Sequence, residues 1–339
     1  MKVFVTGGAG YIGSTLVSAL VEKGYKVTCM DRLFFGKESL AETLSNPSLN
    51  LIKEDVRWFD AGILKGFDVV IDLAALSNDP SGELDPTKTL DINYLGRVRV
   101  AKLSREYGVK RYVLASSCSA YGFQEGMLNE ESTLNPLTTY AKANALAERD
   151  VLPLADTQFC VTVPRMATVY GLSKRMRFDL AINGMVLSLY KTGKISVMRD
   201  GTQWRPFVHV KDVANAFVRV IESPIDVVNG QIFNVGSDEQ NYQIYPLAKL
   251  IGESIGVPLD IEWYGSPDKR SYRVDFSKIR KTLNFVPSHT ARDGALEVYK
   301  ALKEGTVTDS TKTKTVEWYK HLLEAHALTK EVALRDTIL

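Results

Sequence analysis

Cysteine and histidine are both scarce: the chain has three of the first and four of the second among 339 residues. Cys29, Cys118 and Cys160 are widely spaced and odd in number, which excludes a disulfide-built scaffold and suits free thiols in a reducing compartment. No two histidines stand at ligand spacing, so no metal is expected. Long apolar runs are missing as well, and no window approaches the roughly 18 residues a bilayer span needs. The chain opens directly into Lys2-Val3-Phe4-Val5, so no signal peptide is expected. Neither charge sign is in excess, with Lys+Arg 42 against Asp+Glu 40, so nothing draws the whole surface to nucleic acid or anionic lipid. The expectation is a cytoplasmic protein with no nucleic-acid or membrane partner. With 45% apolar and 24% charged residues, disorder and coiled coil are excluded, and the length suits about two domains at roughly 150 residues each.

What is present is alternation. Strand-like runs at 3–6, 26–31, 50–54, 69–73 and 112–116 are nearly continuous in Val, Ile, Leu and Phe, as strands covered on both faces must be. Between the first two, residues 14–23 place Leu16, Val17, Leu20 and Val21 at helix spacing before Gly24 ends the helix. Strand, helix, strand in succession implies parallel pairing with right-handed crossovers. The fold class is therefore α/β, a Rossmann-type doubly wound parallel sheet followed by a smaller C-terminal α/β domain for substrate. Residues 1–170 form the dinucleotide domain, with a return segment near 205–236 that includes a strand at 231–235. Residues 171–204 and 237–305 form the second domain, with helices near 245–255 and 293–304 around an irregular stretch at 262–275. The stretch 171–200 is mixed and loop-rich, and 306–339 is a peripheral helical tail.

The first strand runs into Gly7-Gly8-Ala9-Gly10-Tyr11-Ile12-Gly13 and then a helix begins. Gly7, Gly10 and Gly13 permit a tight turn, close backbone approach to a diphosphate, and close helix–strand packing, while the helix N-terminus offers free N–H groups at Tyr11 and Ile12. Asp31 ends the second strand, where a carboxylate accepts from an adenosine ribose diol. Asp31 repels a 2′-phosphate and so favours NAD, although Arg32 and Lys37 stand near enough to pair with one. Asp55, ahead of Val56, serves either the adenine amino group or its own turn.

Together with this loop, Leu73-Ala74-Ala75, Asn93, Ser116-Ser117, Tyr121-Gly122 and Tyr140 resemble the extended short-chain dehydrogenase/reductase family. Within it the chain looks most like the NAD-dependent nucleotide-sugar epimerases and dehydratases. The resemblance continues through Val169-Tyr170-Gly171, Asp200-Gly201-Thr202-Gln203-Trp204-Arg205, His209-Val210-Lys211-Asp212 and Asn234-Val235-Gly236. It implies NAD as cofactor, contacts to it from Leu73, Ala74, Ala75 and Ser116, a nucleotide-diphosphate sugar as partner, and a homodimer built on helices at 87–106 and 140–151. It also implies that Ser117 and Tyr140 flank the reacting hydroxyl, the tyrosine as base. A phenol's reference pKa is about 10, so nearby positive charge must lower it.

The family's lysine, one helical turn beyond the tyrosine, is absent; Asn144 stands there. A helix turns about 100° per residue, so Lys142 falls on another face and does not simply substitute. Asn144 is left to bond the nicotinamide ribose without supplying charge. Cys118 and Ser119 occupy the positions where dehydratases and decarboxylases of the family carry acids, which counts against elimination. Oxidation at one sugar carbon remains, most often C4, and a 4-epimerase is the first expectation. A 4-dehydrogenase or ketoreductase, a non-catalytic dinucleotide binder and a reductase of a small carbonyl compound stay open. By resemblance Arg205 contacts the substrate diphosphate, and Arg270 or Arg273 supplies the other cation, near a segment where Gly265-Ser266-Pro267-Asp268 departs from the family pattern. Asn183 is expected to bond the same diphosphate, and Arg177 to line the pocket from a basic cluster that reads equally well as a solvated loop.

Overall fold

The computed structural model describes every residue except 259, 269, 334–336, 338 and 339, so the end of the expected tail lies outside the described residues. Seven strands align in the order Gln231–Val235, Cys160–Met166, Arg111–Leu114, Val69–Asp72, Lys2–Thr6, Lys26–Asp31 and Leu49–Lys53, and Ser116–Ser117 adds an eighth beside Cys160–Met166. Every pairing in this sheet is parallel. Alternate residues feed opposite faces: Val3 and Val5 join one apolar cluster with Leu16, Leu20 and Phe217, while Phe4 joins another with Val100, Ala147 and Val151. The helices Tyr11–Glu22 and Val210–Glu222 thus cover one face, and Arg97–Glu106 and Thr139–Val151 the other. This is the Rossmann-type α/β architecture. The winding reverses between Lys2–Thr6 and Val69–Asp72, which opens a crevice beyond their C-terminal ends.

A third apolar cluster gathers Ile182 and Val186 of helix Ala181–Thr192, Leu247 and Ile251 of Ile244–Ile255, and Ala295 and Val298 of Ala291–Lys303. The first of these helices lies in the stretch expected to be loop-rich. Its apolar residues do recur at helix spacing, but surrounding basic residues masked them. The stretch expected to be irregular holds the strands Ile261–Tyr264, parallel to Ile195–Met198, and Arg273–Val274, parallel to Met127–Leu128. These short edge strands bury little and leave a faint pattern. Of the expected return segment, Gln231–Val235 joins the main sheet, whereas Trp204–His209 pairs with Thr168–Tyr170 and Asn241–Gln243 in a separate sheet.

The helix expected at 87–106 is broken into Pro86–Leu90, a π-helical Asp91–Gly96 and Arg97–Glu106. In the tail, helix Thr315–Val332 docks at its first turns: Trp318 Nε1 donates to the Phe34 carbonyl at 2.6 Å and Tyr319 packs edge-on against Phe34. Among the described residues no helix is long and apolar enough to cross a membrane.

Candidate active site

The crevice at the winding reversal is a cavity of about 740 Å³, within the size range of small-molecule and cofactor sites. All the nominated residues except Asn183 line it. At one end the glycine loop is packed as tightly as its spacing predicts. A Cβ on Gly13 would lie 2.3 Å from the Gly7 carbonyl, and one on Gly7 would lie 2.9 Å from the Ala74 backbone nitrogen. Helix Tyr11–Glu22 begins at Gly10 with no side-chain cap, so its first N–H groups face the cradle unspent. This shape and donor set fit a dinucleotide diphosphate.

Asp31 accepts from Ala9 N at 3.0 Å and Leu33 N at 2.7 Å, and burial raises its carboxyl despite those bonds. Asp55 departs from the expected adenine contact: Arg57 forks both its oxygens, Nε and Nη2 each at 2.9 Å, and Arg32 Nε adds a contact at 3.4 Å. Burial raises the Asp55 carboxyl and the Arg57 bonds outweigh it, leaving it below the usual carboxylate range. Tyr11 spends its hydroxyl on the Gly171 carbonyl at 2.6 Å, so its side chain ties the two halves of the chain together while its backbone opens the helix. Arg175, buried beneath Phe35, and Tyr319 close the same end of the cavity. Burial, then the like charge of Arg177, pushes the Arg175 guanidinium down to about 10.

Tyr140 opens helix Thr139–Val151, which Thr138 caps by accepting from Ala141 N at 3.2 Å. Glu83 holds the same helix start, accepting from Thr139 N at 2.7 Å. Burial, then the Asp79 carboxylate, holds the Tyr140 phenol above its ordinary value, against the lowering pull of Arg97, Asn144 and Ser117. Ser117 Oγ accepts from Ser119 N at 3.1 Å; Ser116 is buried and bonds Glu148, itself forked by Arg165 with Nη2 at 2.6 Å. Asn144 is 2% exposed; its Oδ1 accepts from Arg97 Nη1 at 3.0 Å and its Nδ2 donates to the Tyr140 carbonyl at 3.1 Å. Both ends of its amide are thus engaged within the protein, away from the expected ribose contact. Cys118 is fully buried, and burial pushes its thiol well above the ordinary range.

At the opposite end Arg205 and Arg270 meet around one carboxylate. Asp268 accepts from Arg205 Nη2 at 2.9 Å and from Arg270 Nη2 at 2.7 Å, and Arg270 also bonds Asp79 across the cleft. Asp268, the last residue of the Gly265–Asp268 segment, thus gathers the two cations. The basic cluster is no solvated loop: Arg175 and Arg177 are buried, and Asp179 forks Arg177 with Nη2 at 2.6 Å. Asn183 lies behind the wall instead of on it. Its amide donates to Tyr11 Oη at 3.1 Å and to the Arg177 carbonyl at 2.9 Å, so it braces the site and does not face a diphosphate.

Sequence reasoning missed Arg97, whose signal was a charged residue in helical phase with Asn93 and Ala101. It also missed the grouping of His209, Asp212 and His289 within 4.8 Å of one another, which spacing along the chain cannot reveal. Each is bonded within the protein: His209 Nε2 to Glu297 at 2.5 Å, and His289 Nδ1 to Asp212 at 3.0 Å.

A parallel sheet with a glycine cradle at its reversal, and a tyrosine and serine facing it across one cavity, defines a Rossmann-type oxidoreductase site. The chain belongs to the NAD dependent epimerase/dehydratase family, which it matches over residues 3–236, and it is an enzyme whose cofactor is NAD. It is 30% identical to the UDP-glucose 4-epimerase of Mycolicibacterium smegmatis over 306 residues, covering 87% of this chain and 96% of that one. It is 28% identical to UDP-glucuronic acid decarboxylase 1 of Arabidopsis thaliana over 304 residues, covering 87% of this chain and 68% of the relative. Among solved structures, MoeE5 in complex with UDP-glucuronic acid and NAD superposes with a TM-score of 0.79 at 26% identity, covering 90% of this chain and all of that one.

Proposed function

We propose that the enzyme works on C4 of a nucleotide-diphosphate sugar, a UDP-sugar by similarity to its relatives, and that it is a 4-epimerase. The observation that carries this reading is the layout of one cavity, with the glycine cradle at one end, Ser117 and Tyr140 on the wall, and Arg205 and Arg270 at the other end. When bound, NAD would supply a hydride acceptor for the sugar carbon and, once the ketone has turned over, a hydride donor to its opposite face. Ser117 orients the sugar hydroxyl, and Tyr140 takes its proton as that carbon is oxidised and gives it back on reduction. Arg205 and Arg270 hold the diphosphate, exchanging Asp268 and Asp79 for phosphate oxygens; a planar guanidinium donates to either through the same fork. Elimination is disfavoured because the buried Cys118 thiol and the Ser119 hydroxyl stand where an acid–base pair is needed. A homodimer on the helical stretch 87–106 and helix Thr139–Val151 belongs to the same reading; Leu95, in the π-helical turn of the first, is 54% exposed. The three buried free thiols keep the cytoplasm as its proposed location.

The test is incubation of the purified protein and NAD with UDP-glucose, UDP-galactose and UDP-glucuronic acid, followed by NMR of the sugars and the absorbance of reduced nicotinamide. Appearance of the C4 epimer supports the proposal. Accumulating reduced cofactor with a ketone product marks a 4-dehydrogenase, and silence with all three sugars marks a binder.

A further inference from the structure

Arg97 is 1% exposed and lines the cavity with Tyr140 and Asn144, with a single carboxylate, Asp72, at the edge of ion-pair range. A buried guanidinium without a matched carboxylate is costly, and such groups persist where they have something to do. Its nearest carboxylate oxygen, Asp72 Oδ2, is 3.8 Å from Nε and already accepts from Tyr112 Oη at 2.5 Å; Asp72 Oδ1 accepts from Thr6 Oγ1 at 2.5 Å. Arg97 Nε has no hydrogen-bond partner among the described residues. The remaining nitrogens donate to uncharged oxygens: Nη2 to the Ala115 and Asp72 carbonyls, Nη1 to Asn144 Oδ1 at 3.0 Å.

Asn144 follows Tyr140 by one helical turn. A guanidinium only donates, so the amide atom facing Arg97 must be the oxygen, and the NH₂ is turned toward the tyrosine's side of the helix. A lysine at 144 would set an ammonium against that guanidinium, so the two cations exclude one another. Other charged groups face the phenol too. Asp79 raises it, and Arg177 reaches it as a charge but is forked by Asp179, with Nε at 3.1 Å and Nη2 at 2.6 Å. Arg270 bonds Asp79, and Lys142 is exposed. Arg97 is the cation near the phenol that no carboxylate forks.

We infer that Arg97 supplies the positive charge that makes Tyr140 a usable base, with Asn144 as the uncharged spacer between them. This rests on Tyr140 being the base, as proposed above. Arg97 is a positioning residue, acting on the phenol through space and through Asn144.

The test combines ζ-¹³C-tyrosine NMR titration with the pH dependence of kcat/KM, in wild type, R97M, R97M/N144K and Y140F. The Tyr140 resonance is assigned by its absence in Y140F. In R97M, checked for folding by circular dichroism, that resonance should titrate at least about one pH unit higher than in wild type. The acidic limb of the rate profile should move upward with it, lowering the rate at neutral pH about tenfold. In R97M/N144K, which returns a cation one turn beyond the tyrosine, both should move back toward wild type. A folded R97M whose tyrosine titration and acidic limb are unmoved overturns the inference. Should R97M not fold, R97M/N144K is read alone: a limb within half a unit of wild type supports the inference, and one displaced upward by a unit or more overturns it. Retained turnover in Y140F would instead sink the reading of Tyr140 as base, whatever Arg97 does.

Discussion

Gly13 shows what one missing methyl group permits. With a Cβ 2.3 Å from the Gly7 carbonyl, Gly13→Ala forces the glycine loop apart where the diphosphate must approach. We expect dinucleotide binding to fall at least about tenfold in equilibrium dialysis, since a misplaced cradle loses one or more charge-assisted bonds. Arg205→Ala should act at the other end of the cavity. It removes a proposed substrate cation and the bond to Asp268, which also holds Arg270, so KM for the nucleotide sugar should rise roughly 10- to 100-fold with a smaller change in kcat. An unchanged KM would remove the diphosphate from the proposed function. Gly13 was legible in the sequence because its motif's chemistry is local, whereas Arg205 was nominated by resemblance and the structure places it on the cavity lining. Asn183 was misplaced for the opposite reason. An asparagine's partners are set by what folds over it, and here Tyr11, 172 residues distant along the chain, takes the bond assigned to a phosphate.

At the scale of elements, the helix Thr315–Val332 has the most to add. Sequence marks it as charged and helical, and only contact shows that its first turns brace Phe34 while Tyr319 enters the wall of the dinucleotide end. Trp318→Ala removes the indole bond and much of that docking. We expect NAD to dissociate several-fold faster in stopped-flow fluorescence while the circular dichroism spectrum stays that of the parent; an unchanged off-rate would reduce the helix to a surface ornament. The broken helix at 86–106 carries the complementary lesson. Its composition reads as one helix, but a π-helical turn holds Asn93, which clasps both backbone groups of Leu76 with bonds of 2.8 and 3.0 Å and shapes the loop facing the glycine cradle.

Taken whole, the molecule joins its main sheet to the helices of the third apolar cluster through polar contacts, and Glu297 makes several of them. It reaches from helix Ala291–Lys303 to His209, to Lys211 Nζ at 2.9 Å and to the Leu172 N–H at 2.7 Å. Burial raises its carboxyl, and the bonds from His209 and its neighbours overcome this and hold it down at about 2, against an ordinary 4.5. A depressed carboxylate stabilises the fold fully above the unfolded value and loses that contribution as acid protonates it. Stability should therefore fall from about pH 4.5 toward pH 2 in denaturant titrations, and Glu297→Gln should be less stable at neutral pH with a flatter acid slope. Sedimentation velocity tests the proposed homodimer, with Leu95→Glu expected to shift it toward monomer.

From residue types and their order came the parallel layers, the glycine cradle and the carboxylate after the second strand, because each is written in short-range spacing or apolar period. The family, and with it the proposed tyrosine–serine pair, came from the resemblance of a series of motifs. The tertiary structure decided which charges are spent on one another: Asp55 on Arg57, Asp268 on two arginines, and Arg97 left beside the helix of Tyr140. Such pairings depend on distances between residues remote in the chain, and electrostatic energy follows distance and burial, which no linear spacing records.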